Sequence, residues 1–169
     1  MNFDVITIAA LVHELRMKLL NGRVQDSLEI GNDAIGFEIY AGQRHYLMLS
    51  ANPQAARVHL VSDRVRKGVE HPSPLGLMLR RNIEGGRLVG ISQPPWERIL
   101  HFQFESGEGA FTLIAEIMDR RSNLLLVRDG EIMDCMRRVG ADENRVRVSL
   151  PGQPYVPPPP QLGKHDPTT

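Results

Sequence analysis

Cysteine is almost missing from this chain: Cys135 is the only one in 169 residues. That excludes an internal disulfide and a cysteine-built zinc site, fits a reducing compartment, and leaves Cys135 as an inert, partly buried thiol. Aromatic side chains are scarce at 5%, so aliphatic residues must fill the core. No run of apolar residues approaches the length of a membrane span, and Met1-Asn2-Phe3-Asp4 carries an acid where a secretory signal would carry positive charge. A cytoplasmic protein that does not enter the membrane is therefore expected. An excess of one charge is missing too, because 20 basic residues are cancelled by 20 acidic ones. A uniform positive field that coats nucleic acid is thereby excluded, and any such contact must be local. Lysine is nearly absent as well: only Lys18, Lys67 and Lys164 are lysines, and the other 17 basic residues are arginines. Arginine suits planar, bidentate recognition of phosphates and bases, although a G+C-rich genome choosing arginine codons gives the same bias.

What is present is ordinary for a globular domain, with 41% hydrophobic and 24% charged residues and a mean hydropathy of −0.25. Between Asp4 and Leu20 the residues Ile8, Leu11, Val12, Leu15 and Leu19 recur at steps of three and four, while Glu14, Arg16 and Lys18 fall off that stripe. The spacing predicts an amphipathic helix capped by Asp4 and stopped at Gly22. Short strand-like segments follow at 24–30, 35–40, 45–50 and 57–61, separated by turn residues, and read as an antiparallel meander. Ser73-Pro74 has the form of an N-cap and a first-turn proline, opening a short helix that Gly85-Gly86 ends. A second run of strands is expected at 88–91, 99–104, 111–117, 124–127 and 146–149. Two helices among eight or nine short strands give an α+β fold, an antiparallel sheet or β-sandwich with helices covering one side.

The character of the chain changes after Leu150. Pro151-Gly152 makes a turn, and Pro154 to Pro160 is a stiff, proline-rich stretch. The reading is one domain over 1–150 and a linker or tail over 151–169, a spacer that leads to a continuation lying outside this chain. A proline-rich ligand for another protein's groove is the alternative.

The order of several short motifs resembles a known pattern along nearly the whole chain. Phe3-Asp4 is followed by Leu11-Val12-His13-Glu14-Leu15 and Gly22-Arg23-Val24. Leu49-Ser50-Ala51-Asn52-Pro53 with Ala56-Arg57-Val58-His59-Leu60 is similar to "SAxP…ARxHL". Met78-Leu79-Arg80-Arg81 before Gly85-Gly86-Arg87-Leu88 is similar to "MLRK…GGRI", and Glu97-Arg98-Ile99 stands where the pattern has Asp-Arg-Ile. Glu116-Ile117-Met118-Asp119-Arg120-Arg121-Ser122-Asn123 answers to "E(L/I)MGRHSN", and Leu150-Pro151-Gly152-Gln153-Pro154-Tyr155 answers to the closing "LPGxxYxxPP". Taken together the series resembles the NFACT amino-terminal domain of the RqcH, FbpA and NEMF family.

The resemblance implies a fold similar to the amino-terminal domain of formamidopyrimidine-type DNA glycosylases, followed in longer members by helix-hairpin-helix and coiled-coil segments. It implies a binding module rather than an enzyme, one that meets tRNA and the large ribosomal subunit carrying peptidyl-tRNA, so that a stalled peptide receives an alanine tail. The implied tRNA-binding residues are Glu97, Arg98, Glu116, Ile117, Met118 and Arg120. An arginine oriented by a neighbouring acid, here Glu97, can stack on a base or grip a phosphate in an unpaired loop. Two positions depart from the pattern, Glu97 for the usual Asp and Asp119 for the usual Gly; Asp119 would either pair with an arginine or repel RNA. The pairs Arg137-Arg138 and Arg145 with Arg147 read as solvated strand faces. Two other functions compete: a fibronectin-binding adhesin, which the FbpA name implies, and a glycosylase-like nucleic-acid enzyme, which the implied fold suggests but which would need an amino-terminal proline nucleophile that Met1-Asn2-Phe3 does not supply. No cofactor or metal is expected, because His45, His59 and His101 lack ligand spacing, and Gly85-Gly86 follows a helix instead of opening one.

Overall fold

A computed structural model describes residues 4–63, 71–144 and 147–159. Helix α1 covers Val5–Leu19, as the three-four spacing requires. Asp4 caps it, its Oδ1 accepting from the Thr7 N–H at 2.7 Å, and that bond holds the Asp4 carboxyl below its ordinary pKa. Ile8, Val12, Leu15 and Leu19 are buried and Leu11 packs beside them. The helix stop differs in detail from expectation. Asn21, at φ 67, supplies the left-handed turn, a conformation that asparagine tolerates better than most residues. Gly22 is needed for room: a Cβ there would lie 2.6 Å from Ile39 Cγ2 and 2.8 Å from the Leu19 carbonyl oxygen.

Four strands follow as a meander, β1 (Arg23–Ile30), β2 (Ala34–Tyr40), β3 (Arg44–Ser50) and β4 (Arg57–Val61). Helix α2 (Pro74–Asn82) opens on Ser73, whose hydroxyl accepts from the Gly76 N–H, with Pro74 in its first turn. A second meander runs through β5 (Arg87–Ser92), β6 (Ile99–Ser106), β7 (Gly109–Glu116), β8 (Asn123–Arg128) and β9 (Glu131–Cys135). All nine strands form one antiparallel sheet in the order β4-β3-β2-β1-β5-β6-β7-β8-β9. The fold is α+β, as expected.

The choice between sheet and sandwich is decided at the seam between the meanders. β1 and β5 share a single ladder pair, Arg23 with Arg87, and the chain beside it is stitched by Asn21 N–H to the Leu88 carbonyl and Val24 N–H to the Gly86 carbonyl. Phe37 on β2 and Phe104 on β6 lie three strands apart in that order, about 14 Å in a flat sheet at ~4.8 Å per strand. Their ring centroids are 5.8 Å apart. The sheet is therefore folded over its seam, hydrogen-bonded as one sheet and packed as a sandwich. One apolar cluster draws Ile35, Leu47 and Val58 from the first half and Phe102, Leu113 and Leu124 from the second. Helix α1 packs on β5 and β6, and α2 touches both β1 and β9.

Two expectations about the C-terminal part are corrected. β9 was not foreseen, because Asp134 interrupts its apolar run; the residue is 2% exposed, and its carboxylate takes the Cys135 N–H and the Arg138 guanidinium. The strand expected at 146–149 falls partly outside the described residues, and Ser149 makes only an isolated bridge with Val139. From Gly152 to Tyr155 the chain is bonded to the domain. The Gly152 N–H donates to the Ile132 carbonyl, the Ile132 N–H to Gln153 and the Tyr155 N–H to Gly130, each at 2.8 Å. This segment covers the outer edge of β9, an edge that would otherwise present unpaired backbone groups.

Cys135 is 5% exposed, and its thiol donates to the carbonyls of Arg137 and Ser149. Burial, with the nearby Asp134 charge, pushes the thiol up to about 11. At pH 8 about one molecule in a thousand carries the reactive thiolate. Iodoacetamide should leave the native chain almost unlabelled over a time in which the urea-unfolded chain is fully alkylated; equal rates in both states would refute the burial.

Candidate nucleic-acid interface

Two loops at one end of the second meander, with Glu116 at the end of β7, carry the six residues singled out in the sequence. The first joins β5 to β6. Pro94 and Pro95 force a turn closed by the Glu97 N–H on the Pro94 carbonyl at 3.1 Å. The Gln93 side-chain amide ties it down, donating to the Glu97 carbonyl at 2.7 Å and to the Val5 carbonyl of α1 at 3.2 Å. The second loop joins β7 to β8 through a 3-10 turn, Asp119–Arg121. It is closed by the Arg121 N–H on Met118 and by the Met118 N–H on Ser122 Oγ at 2.8 Å.

The two loops are neighbours because their strands are. Ile99 pairs with Glu116, and the Ile117 N–H donates to the Arg98 carbonyl at 2.9 Å, one step past the ladder. Beyond that rung each loop carries a left-handed residue, Trp96 at φ 61 and Asp119 at φ 52.

Within this frame the six residues divide. Arg98 reaches the surface, its side chain 20% exposed; the Nε is buried with no partner among the described residues, and the NH1 group lies 3.8 Å from Asp119 Oδ2. The acid at its guanidinium is thus Asp119 and not the expected Glu97, its neighbour in the chain. Asp119 is itself 80% exposed, so the pair is weak and open to competition. Arg120 is exposed and Met118 half-buried.

Glu116 and Ile117 are inside, at 0% and 2% exposure. Glu116 Oε1 accepts from Arg147 NH1 at 2.9 Å, and Oε2 takes the other arm of that guanidinium and the Tyr155 hydroxyl, the latter at 2.7 Å. Burial, followed by the Glu116 charge, drives the Tyr155 phenol strongly upward in pKa. Both side chains are thus enclosed by the protein, and in this structure they serve to position their neighbours. Ser122 and Asn123, the end of the same motif, are also structural. The Asn123 amide spans to Arg137, giving its N–H to the Arg137 carbonyl and accepting the Arg137 N–H, each at 2.8 Å.

Arg147 and Tyr155 were missed as partners of this site. Arg147 was read as a solvated strand face, yet its side chain is 12% exposed and ion-paired; its guanidinium also lies 5.5 Å from the centre of the Tyr155 ring. The available signal was Tyr155 in the closing motif. Arg137 was likewise read as solvated surface. It is exposed, but its guanidinium donates to the Arg120 carbonyl, and with Arg120 it lines a cleft of about 770 Å³. The opposite wall comes from the other half of the folded sheet, with Asn32 and Gln54. Among the described residues no group of histidine, cysteine and carboxylate side chains is placed to hold a metal ion. No described helix is long and apolar enough to cross a membrane.

Comparison with known proteins places this arrangement. A family model described as NFACT N-terminal and middle domains matches residues 4–169. The chain is 34% identical over 169 residues to the Rqc2 homolog RqcH of Bacillus subtilis, covering 95% of this chain and 30% of that protein. It is 27% identical over 135 residues to the human ribosome quality control complex subunit NEMF, covering 80% of this chain and 12% of that protein. The N-terminal domain of fibronectin-binding protein PavA from Streptococcus pneumoniae superposes with a TM-score of 0.89 at 32% identity, covering 99% of this chain and 65% of that one. The chain thus spans less than a third of the length of the curated relatives it matches.

Removing one partner from the buried trio strands a charge. Arg147→Ala should lower the unfolding free energy by about 3–5 kcal/mol, while Tyr155→Phe, which deletes one hydrogen bond to a charged acceptor, should cost about 1.5–3 kcal/mol. Urea titrations followed by circular dichroism would measure both; a loss under 1 kcal/mol for Arg147→Ala would show that Glu116 is not held as described.

Proposed function

Because this chain belongs to the family of NFACT N-terminal and middle domains, we propose that it is the tRNA- and ribosome-contacting unit of a ribosome quality control factor. Its work in this reading is binding without catalysis. It recruits tRNA to stalled large ribosomal subunits bearing peptidyl-tRNA in the cytoplasm, and the nascent chain then receives an alanine tail.

The observation that carries the reading is the presentation of Arg98, Met118 and Arg120 from two adjacent loops that buried bonds hold in place. Arg98 is anchored through its own carbonyl by Ile117 and reaches outward. Arg120 sits in the compact turn closed by Ser122, with the Arg137 guanidinium on its carbonyl. Two guanidinium groups and a thioether suit an unpaired RNA loop, which offers phosphates and unstacked base faces together. The balanced net charge fits a contact made by a few local groups, and such a contact has a shallow salt dependence.

Asp119 tunes this surface. Its carboxylate lies against Arg98 and has to be displaced or bridged before that guanidinium can meet a phosphate. The left-handed backbone there, φ 52, is also the geometry that the glycine of the resembled motif adopts freely.

Fibronectin binding is the second reading; it rests on the name of PavA alone and is not favoured. The two separate on substrate: immobilised fibronectin should capture the chain no better than albumin does, while tRNA should bind at low ionic strength. Arg98→Ala should weaken tRNA binding about tenfold. Asp119→Gly should strengthen it severalfold by freeing Arg98. Filter binding measures both, and unchanged affinity in Arg98→Ala would remove that residue from the interface.

A further inference from the structure

Trp96 is the chain's sole tryptophan, and neither the family motifs nor the buried trio uses it. The residue is 41% exposed at the tip of the β5–β6 loop, one position before Arg98's acidic neighbour Glu97. A single exposed apolar side chain is common and by itself means nothing. What sets Trp96 apart is its backbone. A φ of 61 is a conformation that bulky side chains rarely adopt, and such strain persists only where the surroundings impose it. Here they do: two prolines precede it, the Glu97 N–H closes the turn on Pro94, and Gln93 fastens the following carbonyl to the start of α1. The cost of this turn is not offset by full burial, since the residue stays 41% exposed.

We propose that Trp96 is a stacking platform for an unpaired nucleobase of the RNA that Arg98 contacts. The proposal rests on the RNA-binding reading and adds a residue and a ligand preference to it. An indole face accepts any base, because every base has a π-surface, and needs that base to be free of its helix. The platform lies two residues before Arg98, in the loop that enters β6. A strand whose base lies on Trp96 therefore brings its backbone within reach of a guanidinium. The site selects loops over duplexes, and it reads exposure of a base more than its identity.

Having one tryptophan makes the test direct, because all indole emission from this chain comes from that loop. The chain is titrated at low ionic strength with an RNA hairpin bearing an unpaired loop and, separately, with a fully paired duplex of equal length. Stacking predicts saturable quenching by the hairpin and little by the duplex, about a tenfold loss of hairpin affinity in Trp96→Ala, and near-complete retention in Trp96→Phe. If hairpin affinity is unchanged in Trp96→Ala but falls in Arg98→Ala, the stacking proposal is overturned and the RNA-binding reading stands. If the wild-type chain binds neither RNA, both fall. Quenching by a fibronectin fragment, with none by RNA, would assign Trp96 to a protein partner and overturn the proposal in the same way.

Discussion

β1 and β5 meet through one ladder pair and a few flanking backbone bonds, and this narrow seam sets the shape of the rest. Had the two meanders been paired along their full length, nine strands would have made a broad, twisted sheet with two faces to cover and, among the described residues, two α-helices to cover them. Folding at the seam lets each half serve as the other's cover, so that Phe37 meets Phe104 in the main core, while Ile99, Ile114, Leu125 and Ile132 form a second, smaller cluster against which Met118 and Tyr155 pack. Two glycines make the close approach possible. A Cβ at Gly22 would strike Ile39, and one at Gly86 would lie 2.6 Å from the Glu105 carbonyl oxygen. The same fold-over brings the β1–β2 turn and the β3–β4 loop across from the 3-10 turn and the end of β9, which is how the cleft lined by Arg120 and Arg137 comes to exist.

The motif segment from Glu116 to Asn123 has a division of labour that its sequence conceals. Glu116 locks the proline-rich segment to the domain through Arg147 and Tyr155. Ile117 enters the core, Ser122 closes the turn and Asn123 bridges to Arg137. Four of the eight residues are thus spent on position, and the side chains they present are Met118, Asp119, Arg120 and Arg121. A strong motif here marks a scaffold at least as much as a contact surface. The buried trio also explains why the chain does not leave the domain at Leu150: a carboxylate at 0% exposure has to be paired, and both its partners lie beyond Asn144, one of them beyond Leu150.

Some elements were legible because their physics is local. Helix α1 follows from the repeat of Ile8, Val12, Leu15 and Leu19, and both helix starts follow from capping residues, Asp4 and Ser73, that act within three positions. Most strands follow from alternation between turn residues. β9 did not, since a buried aspartate with an arginine partner looks in sequence like surface. Arg147 failed for the same reason: an arginine's burial depends on where its carboxylate is, and Glu116 lies 31 residues earlier.

The sequence by itself determined the class of fold, the helices, eight strands in outline, the balance of charge that confines any nucleic-acid contact to a local patch, and the family resemblance that the comparisons then established. Those properties are carried by short-range spacing and by composition. The tertiary structure decided how the sheet closes, that Asp119 rather than Glu97 faces Arg98, and which members of one motif are inside and which are out. Such choices depend on contacts between residues far apart in the chain, where a change of one partner turns a surface charge into a buried one and no local pattern records it.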